Sequence, residues 1–258
     1  YRLKGYEIPE FNRQSKGLPI INLIPIKKDE TVSSVISVGK DEKENSLVFI
    51  TKGGIVKKTL LTEYENIRKS GKIALSMKEN DELLTVRKAN KDEFILLGTS
   101  EGRLVKFNEN RLRSMGRTAT GVKGVNLSEN AKCICADVAK DDDKILLITS
   151  KGYGKQTFVC EYRETSRGSK GVKALNITEK NGELCTFEIV RDRTDAVIIT
   201  DSGTVMRMPI NQISTLGRVT QGVRLINLKD DQKVSSMCLI INDEENDKED
   251  DTTNEKSE

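Results

Sequence analysis

Ile145-Leu146-Leu147-Ile148-Thr149-Ser150-Lys151-Gly152 is an unbroken apolar run closed by Thr-x-x-Gly, and the chain carries that figure four times. The other runs are residues 47–50, 94–97 and 196–199. Their turns are Thr51 to Gly54, Thr99 to Gly102 and Thr200 to Gly203. Four apolar residues are too few for a helix, and bounded by a turn they read as a central strand. A glycine closing the turn permits a positive φ and hence a tight hairpin. The returning segments mix apolar and basic residues, as in Ile55-Val56-Lys57-Lys58, Arg103-Leu104-Val105-Lys106 and Thr204-Val205-Met206-Arg207. This mixture predicts half-exposed strands carrying cations on one face.

A second landmark runs in step. Gly17, Gly71, Gly121, Gly171 and Gly222 are spaced by 54, 50, 50 and 51 residues. Five residues after each stands Asn22, Ser76, Asn126, Asn176 or Asn227, followed by Leu23, Met77, Leu127, Ile177 or Leu228. Four residues before lies Arg13, Arg117, Arg167 or Arg218, with Arg68 at minus three in the second unit. Third strands are expected at 31–38, 83–87, 132–138, 184–190 and 234–241. Units of about 50 residues, each with roughly four strands and no helical periodicity, predict the blades of a closed, propeller-like ring. Closure is favoured because a lone blade leaves an unpaired edge. The repeats fall near 1–40, 41–90, 91–140, 141–190 and 191–241. The first blade is expected to be incomplete, because the chain enters it partway.

Each unit concentrates cations, glycine and hydroxyls in one loop: Arg13 and Lys16; Arg68, Lys69 and Lys72; Arg117 and Lys123; Arg167, Lys170 and Lys173; Arg218 and Arg224. With Lys57 of a returning strand, these are the candidate DNA-binding residues. Arg and Lys neutralise phosphates and release counterions, while hydroxyls and backbone N–H groups suit phosphate oxygens. Loops recurring once per blade form a belt, which fits a curved duplex better than a point site. Only 4% of the chain is aromatic, and none of it lies in the basic loops after Phe11, which disfavours base stacking on single strands.

Composition narrows the chemistry. The chain has 258 residues and a net charge of +3, but residues 241–258 hold nine acids and two bases. Residues 1–240 are left with 41 bases and 31 acids, a net of +10. A basic body with an acidic tail suggests a polyanionic partner and a segment that competes with it. Residues 242–258 contain no apolar side chain and are expected to be disordered. With no histidine, imidazole acid–base catalysis and His-ligated zinc are absent. No apolar run reaches membrane-spanning length. Five cysteines without a CxxC spacing, mostly inside apolar stretches, read as reduced core thiols of a cytoplasmic protein. The start, Tyr1-Arg2-Leu3-Lys4, has no initiator Met or signal profile and reads as the interior of a longer chain. Gly152-Tyr153-Gly154-Lys155 has a phosphate-loop flavour without Walker spacing. Tyr64 and Tyr162 occupy matching positions and are expected at blade edges.

The segments 1–10 (Tyr-Arg-Leu-Lys-Gly-Tyr-Glu-Ile-Pro-Glu), Thr120-Gly121-Val122-Lys123-Gly124, Gly152-Tyr153-Gly154-Lys155 and Thr220-Gln221-Gly222-Val223-Arg224-Leu225 resemble the C-terminal domain of the A subunit of bacterial DNA gyrase, in order through residues 1–240. The resemblance implies an all-β, six-bladed β-pinwheel over residues 1–241 whose blades exchange strands. It implies a domain with no catalytic centre or cofactor of its own, wrapping duplex DNA right-handedly on a basic rim. The parent would be an ATP- and Mg-dependent type II topoisomerase, an isomerase that introduces negative supercoils. Its partners would be the parent's breakage-reunion domain and the gyrase B subunit, on the chromosome in the cytoplasm. The family's hallmark box, Gln-Arg-Arg-Gly-Gly-Lys-Gly, is not matched here. The nearest copy is Thr165 to Gly171, sharing Arg167, Gly168, Lys170 and Gly171. Two alternatives stand beside this reading: a topoisomerase IV-type subunit lacking the box, and a propeller scaffold for an acidic protein.

Overall fold

The computed structural model describes residues 1–241 except Arg13, Lys28, Asp29, Lys40, Asp41, Lys43, Glu44 and Asp230. The acidic tail, 242–258, lies outside the described residues. In chain order the strands are β1 (Ser46–Thr51), β2 (Ile55–Leu60), β3 (Leu83–Ala89), β4 (Phe94–Thr99), β5 (Arg103–Asn108), β6 (Val122–Lys123) and β7 (Cys133–Ala139). They continue with β8 (Lys144–Thr149), β9 (Tyr153–Phe158), β10 (Val172–Lys173), β11 (Leu184–Ile189), β12 (Asp195–Thr200), β13 (Val205–Pro209), β14 (Val223–Arg224) and β15 (Val234–Ile240). Among the described residues there is no α-helix. Short 3-10 turns at Leu61–Tyr64, Glu109–Arg111, Val159–Glu161 and Ile210–Gln212 follow the returning strands.

Each Thr-x-x-Gly turn is closed twice. Gly152, at φ 79°, donates its N–H to the Thr149 carbonyl at 3.0 Å. The Thr149 hydroxyl accepts the Tyr153 N–H at 3.2 Å. Thr51, Thr99 and Thr200 accept equivalent bonds from Ile55, Arg103 and Thr204 at 3.1, 3.3 and 3.0 Å. The threonine is therefore a side-chain lock on the hairpin, not only a β-former.

The strands form four antiparallel sheets with orders β3-β1-β2-β6, β7-β4-β5-β10, β11-β8-β9-β14 and β15-β12-β13. The two-residue outer strands are exchanged: β6, β10 and β14 each come from the repeat after the one whose returning strand they join. The third strands β3, β7, β11 and β15 contact one another in succession around the middle, which leaves the exchanged strands at the periphery.

The unbroken apolar runs follow from burial on both faces. Ile95 and Leu97 pack with Val48, Ile50 and Val56 of the preceding sheet, while Leu96 faces Ile145 and Leu147 of the next. Leu146 and Ile148 then face Ala196 and Ile198. The two middle central strands, β4 and β8, thus contribute alternate residues to two inter-blade cores.

Two strand expectations are corrected. Three of the returning strands, β2, β5 and β9, are buried, with Lys57 and Lys155 both 0% exposed, because neighbouring sheets cover both faces, whereas β13 alternates between exposed and half-buried as expected. Residues 31–38 are not a strand. Among the described residues of 1–30 no strand offers them an inner partner. Instead Ser33 donates its hydroxyl to the Leu83 carbonyl at 3.3 Å, and Ser34 accepts the Val86 N–H at 3.1 Å, so the segment lies against β3 through side chains. Tyr162 is also not at a blade edge but fully buried in the core between the second and third sheets. All five cysteines are free; Cys133 and Cys135 are core residues as expected, but Cys160 and Cys238 are exposed.

Candidate nucleic-acid interface

The loop glycine that aligns the repeats has a geometric cause. Gly171 has φ +71°, and a Cβ there would stand 2.5 Å from the Leu104 carbonyl oxygen. Gly121 and Gly222 press equally on the carbonyls of Val56 and Gly154, at 2.6 and 2.7 Å. The glycine marks the point where the chain crosses onto the previous blade before pairing as its outer strand.

That crossing places one cation on each of the three exchanged strands at an equivalent register. Lys123 pairs opposite Ile55, Lys173 opposite Arg103 and Arg224 opposite Tyr153. All three side chains are exposed. Each is held by the asparagine three residues on. Lys123 Nζ donates to Asn126 Oδ1 at 3.3 Å, Lys173 Nζ to Asn176 Oδ1 at 3.2 Å, and Arg224 to Asn227 Oδ1 at 3.4 Å. Arg224 is also braced by the Tyr153 hydroxyl, which accepts from Nε and NH2 at 3.2 and 2.9 Å.

The loops are stitched to one another along the rim. The N–H groups of Ser76, Asn126 and Asn176 donate to the carbonyls of Ala119, Ser169 and Thr220 in the following loop, at 3.4, 2.9 and 3.1 Å. The loop arginines join in: Arg167 donates to the Lys123 carbonyl and Arg218 to the Lys173 carbonyl, each at 3.2 Å. Arg117 lies 3.7 Å from the Glu63 carboxylate, and the Arg218 N–H donates to Glu161 at 3.0 Å. These arginines therefore serve as inter-blade staples as well as surface charge. Arg167 is exposed, whereas Arg117 and Arg218 are half-buried.

The remaining candidates divide by environment. Arg68, Lys69, Lys170 and Lys16 are exposed and Lys72 is half-buried, while Arg13 lies outside the described residues. Lys57 does not belong to the surface. Its ammonium donates to the Ala74 carbonyl at 2.5 Å and to the Arg117 carbonyl, pinning the basic loop from inside. Burial, aided by the Arg117 charge, lowers its pKa to about 8. Lys155 is its counterpart two blades on, bonded to the Gly217 carbonyl at 2.7 Å and likewise lowered to about 8, chiefly by burial.

Sequence reasoning missed Arg103, whose guanidinium donates to the carbonyls of Lys170 and Gly171 at 2.9 and 2.7 Å and clamps the fourth basic loop. It also missed the latch one residue beyond Lys57. Lys58 donates to the Glu109 carboxylate at 2.5 Å, Lys106 to the Asp141 carboxylate, and Gln156 to the carbonyls of Ile210 and Ile213 at 2.9 and 2.7 Å. Each reaches the next blade, and the recurrence of a long polar side chain at that register was the available signal. Among the described residues no helix is long and apolar enough to cross a membrane.

Comparison with known proteins agrees with this architecture. The chain matches the family described as DNA gyrase C-terminal domain, beta-propeller, over residues 1–38, 45–90, 93–139, 143–191 and 194–237. The DNA gyrase A subunit of Staphylococcus aureus strain MRSA252 is 46% identical over 260 residues, covering 99% of this chain and 29% of that protein. The protein from strain NCTC 8325 is 46% identical over 258 residues, covering 99% and 28%. The chain thus spans under a third of these relatives' length. The solved C-terminal domain of DNA topoisomerase IV superposes with TM-score 0.82 at 25% identity, over 92% of this chain and 74% of that one. The DNA gyrase A C-terminal domain superposes with TM-score 0.78 at 21% identity, over 93% and 78%. Exchanged outer strands, one basic loop per blade and a matched family profile along nearly the whole chain lead to one conclusion: this chain belongs to the DNA gyrase C-terminal domain family.

Proposed function

We propose that the chain binds duplex DNA without sequence preference along its stitched rim and bends it around the ring, as the wrapping domain of a DNA gyrase A subunit. The observation carrying this is the placement of Lys123, Lys173 and Arg224 at one register on three successive outer edges. Cations recurring at one register on successive blades suit a backbone that curves past them, and contacts to phosphates carry no sequence information. The 46% identity over the whole chain favours a gyrase subunit over a topoisomerase IV subunit. In this reading the chain supplies no catalytic group. Strand cleavage, ATP and magnesium belong to other parts of a parent isomerase that works with the gyrase B subunit in the cytoplasm, and wrapping supports negative supercoiling.

The test is the salt dependence of binding to a random-sequence duplex. Each phosphate contact adds about 0.9 to the slope of log affinity against log salt. Replacing Lys123, Lys173 and Arg224 together with Ala should lower that slope by about 2.7, equally for unrelated sequences. An unchanged slope would sink the rim as the DNA surface. Tighter binding to an acidic protein than to duplex DNA would favour a protein scaffold.

A further inference from the structure

The repeat-defining asparagine does two jobs with two different groups. Its backbone N–H joins the rim stitch in Asn126 and Asn176. Its side-chain oxygen is left over, and in three successive units it accepts from the cation three residues earlier. The second unit lacks both parts: Ile73 stands at the cation's register and Ser76 at the asparagine's, while the Ser76 stitch remains. The stitch therefore does not require the amide side chain. The first unit keeps Asn22 beside Pro19, so asparagine can occur there without a cation.

We propose that Asn126, Asn176 and Asn227 are positioning residues that pre-order the phosphate-binding cations Lys123, Lys173 and Arg224. This rests on the rim being the DNA surface. An exposed lysine or arginine loses rotamer freedom when it engages a phosphate, and that loss is subtracted from affinity. A partner that holds the side chain beforehand removes part of the loss. The partner's charge decides the sign. A carboxylate would hold the cation more tightly but cancel the field meant for the phosphate. An amide oxygen holds it and leaves its charge intact. An ammonium has three donors, so two stay available for phosphate oxygens after asparagine has taken one. Arg224 shows the same logic taken further, because Tyr153 adds a second neutral acceptor.

The experiment measures affinity and salt slope separately on the whole 258-residue chain, using an end-labelled duplex of random sequence. The triple variant Asn126→Ala, Asn176→Ala, Asn227→Ala should bind about five- to ten-fold more weakly, roughly 1–1.4 kcal/mol over three sites. Its salt slope should stay at the wild-type value, because every cation is still present. The triple Asn→Asp variant should bind more weakly still, with a lower slope, because each new carboxylate takes up one cation. Thermal unfolding of both variants should match the wild type, since the stitch is a backbone bond. Wild-type affinity in the Asn→Ala variant would overturn the proposal. So would a slope lowered as far as in the Lys123→Ala, Lys173→Ala, Arg224→Ala variant, or Asn→Asp binding as well as wild type. If that cation variant itself keeps the wild-type slope, the rim reading fails first and takes the positioning role with it.

Discussion

Arg87, Asp137, Glu188 and Cys238 occupy one register on the four inner strands, opposite Val48, Leu96, Leu146 and Val197. Arg87 pairs with Asp137 at 3.2 Å, which leaves Glu188 without an equivalent ion pair among the described residues. Burial, reinforced by the Asp137 charge and only partly countered by Arg87 and Arg193, raises the Glu188 pKa to about 7. An acid whose folded pKa exceeds its unfolded value near 4.5 binds its proton more tightly when folded. Its contribution to stability is therefore full below pH 4.5 and is lost as pH rises through about 7. Glu188→Gln should remove that dependence and leave the protein about 1–3 kcal/mol more stable than wild type at pH 8, with little difference at pH 4.5. Urea unfolding at the two pH values reads this directly, and a variant less stable at pH 8 would contradict it. Lys57 makes a second prediction at this scale. Because its ammonium points into the loop carbonyls, Lys57→Met should lower stability without changing the DNA salt slope. A fall of about 0.9 would return Lys57 to the interface.

At the scale of the element, the exchanged strands depend on the crossing glycine. Gly171→Ala forces a side chain to φ +71° and drives a Cβ against the Leu104 carbonyl. The strained φ alone costs about 1–3 kcal/mol, with the steric conflict added. Gly116→Ala, at a loop glycine with nothing within 4 Å of its Cβ position, should be nearly neutral in the same unfolding assay. Much of this layer was legible in the chain. The central runs and their Thr-x-x-Gly turns became β1, β4, β8 and β12 with their hairpins, and the glycine register marked the rim loops. What misled was the chemistry of Lys57, Lys58, Lys106 and Lys155. A lysine in an alternating strand reads as solvent-facing. Whether a carbonyl or carboxylate from the next blade waits for it depends on contacts some 50–60 residues away, which local periodicity cannot encode. For the same reason the strand expected at 31–38 failed: its pattern was adequate, but a strand needs a partner. The loop arginines Arg167 and Arg218 hold an inter-blade bond that local sequence does not show, each donating to a carbonyl, of Lys123 and Lys173, in the preceding unit.

At the scale of the molecule, three cores and a stitched rim make the blades a stack whose neighbours fix one another's angle. Smoothly bending a 20–30 bp site by 40–90° costs on the order of 1–6 kcal/mol, which several spaced contacts can offset and a single loop cannot. Affinity should therefore rise with duplex length until the rim is covered, and energy transfer between the ends of a given duplex should rise when the protein binds it. Length-independent affinity for DNA that stays straight would leave only a basic surface, without wrapping. The exchange of strands has a further consequence, in time. On the ribosome β5 is finished at Asn108, but the pair that closes its outer edge, Val172 and Lys173, is made later by more than a full repeat. At 5–20 residues per second that edge waits for roughly 3–13 s. Every nascent chain therefore carries an open strand at its leading blade. Slow codons between a hairpin and its exchanged partner lengthen the interval in which neighbouring nascent chains can pair through those edges, and the same codons placed after the partner do not.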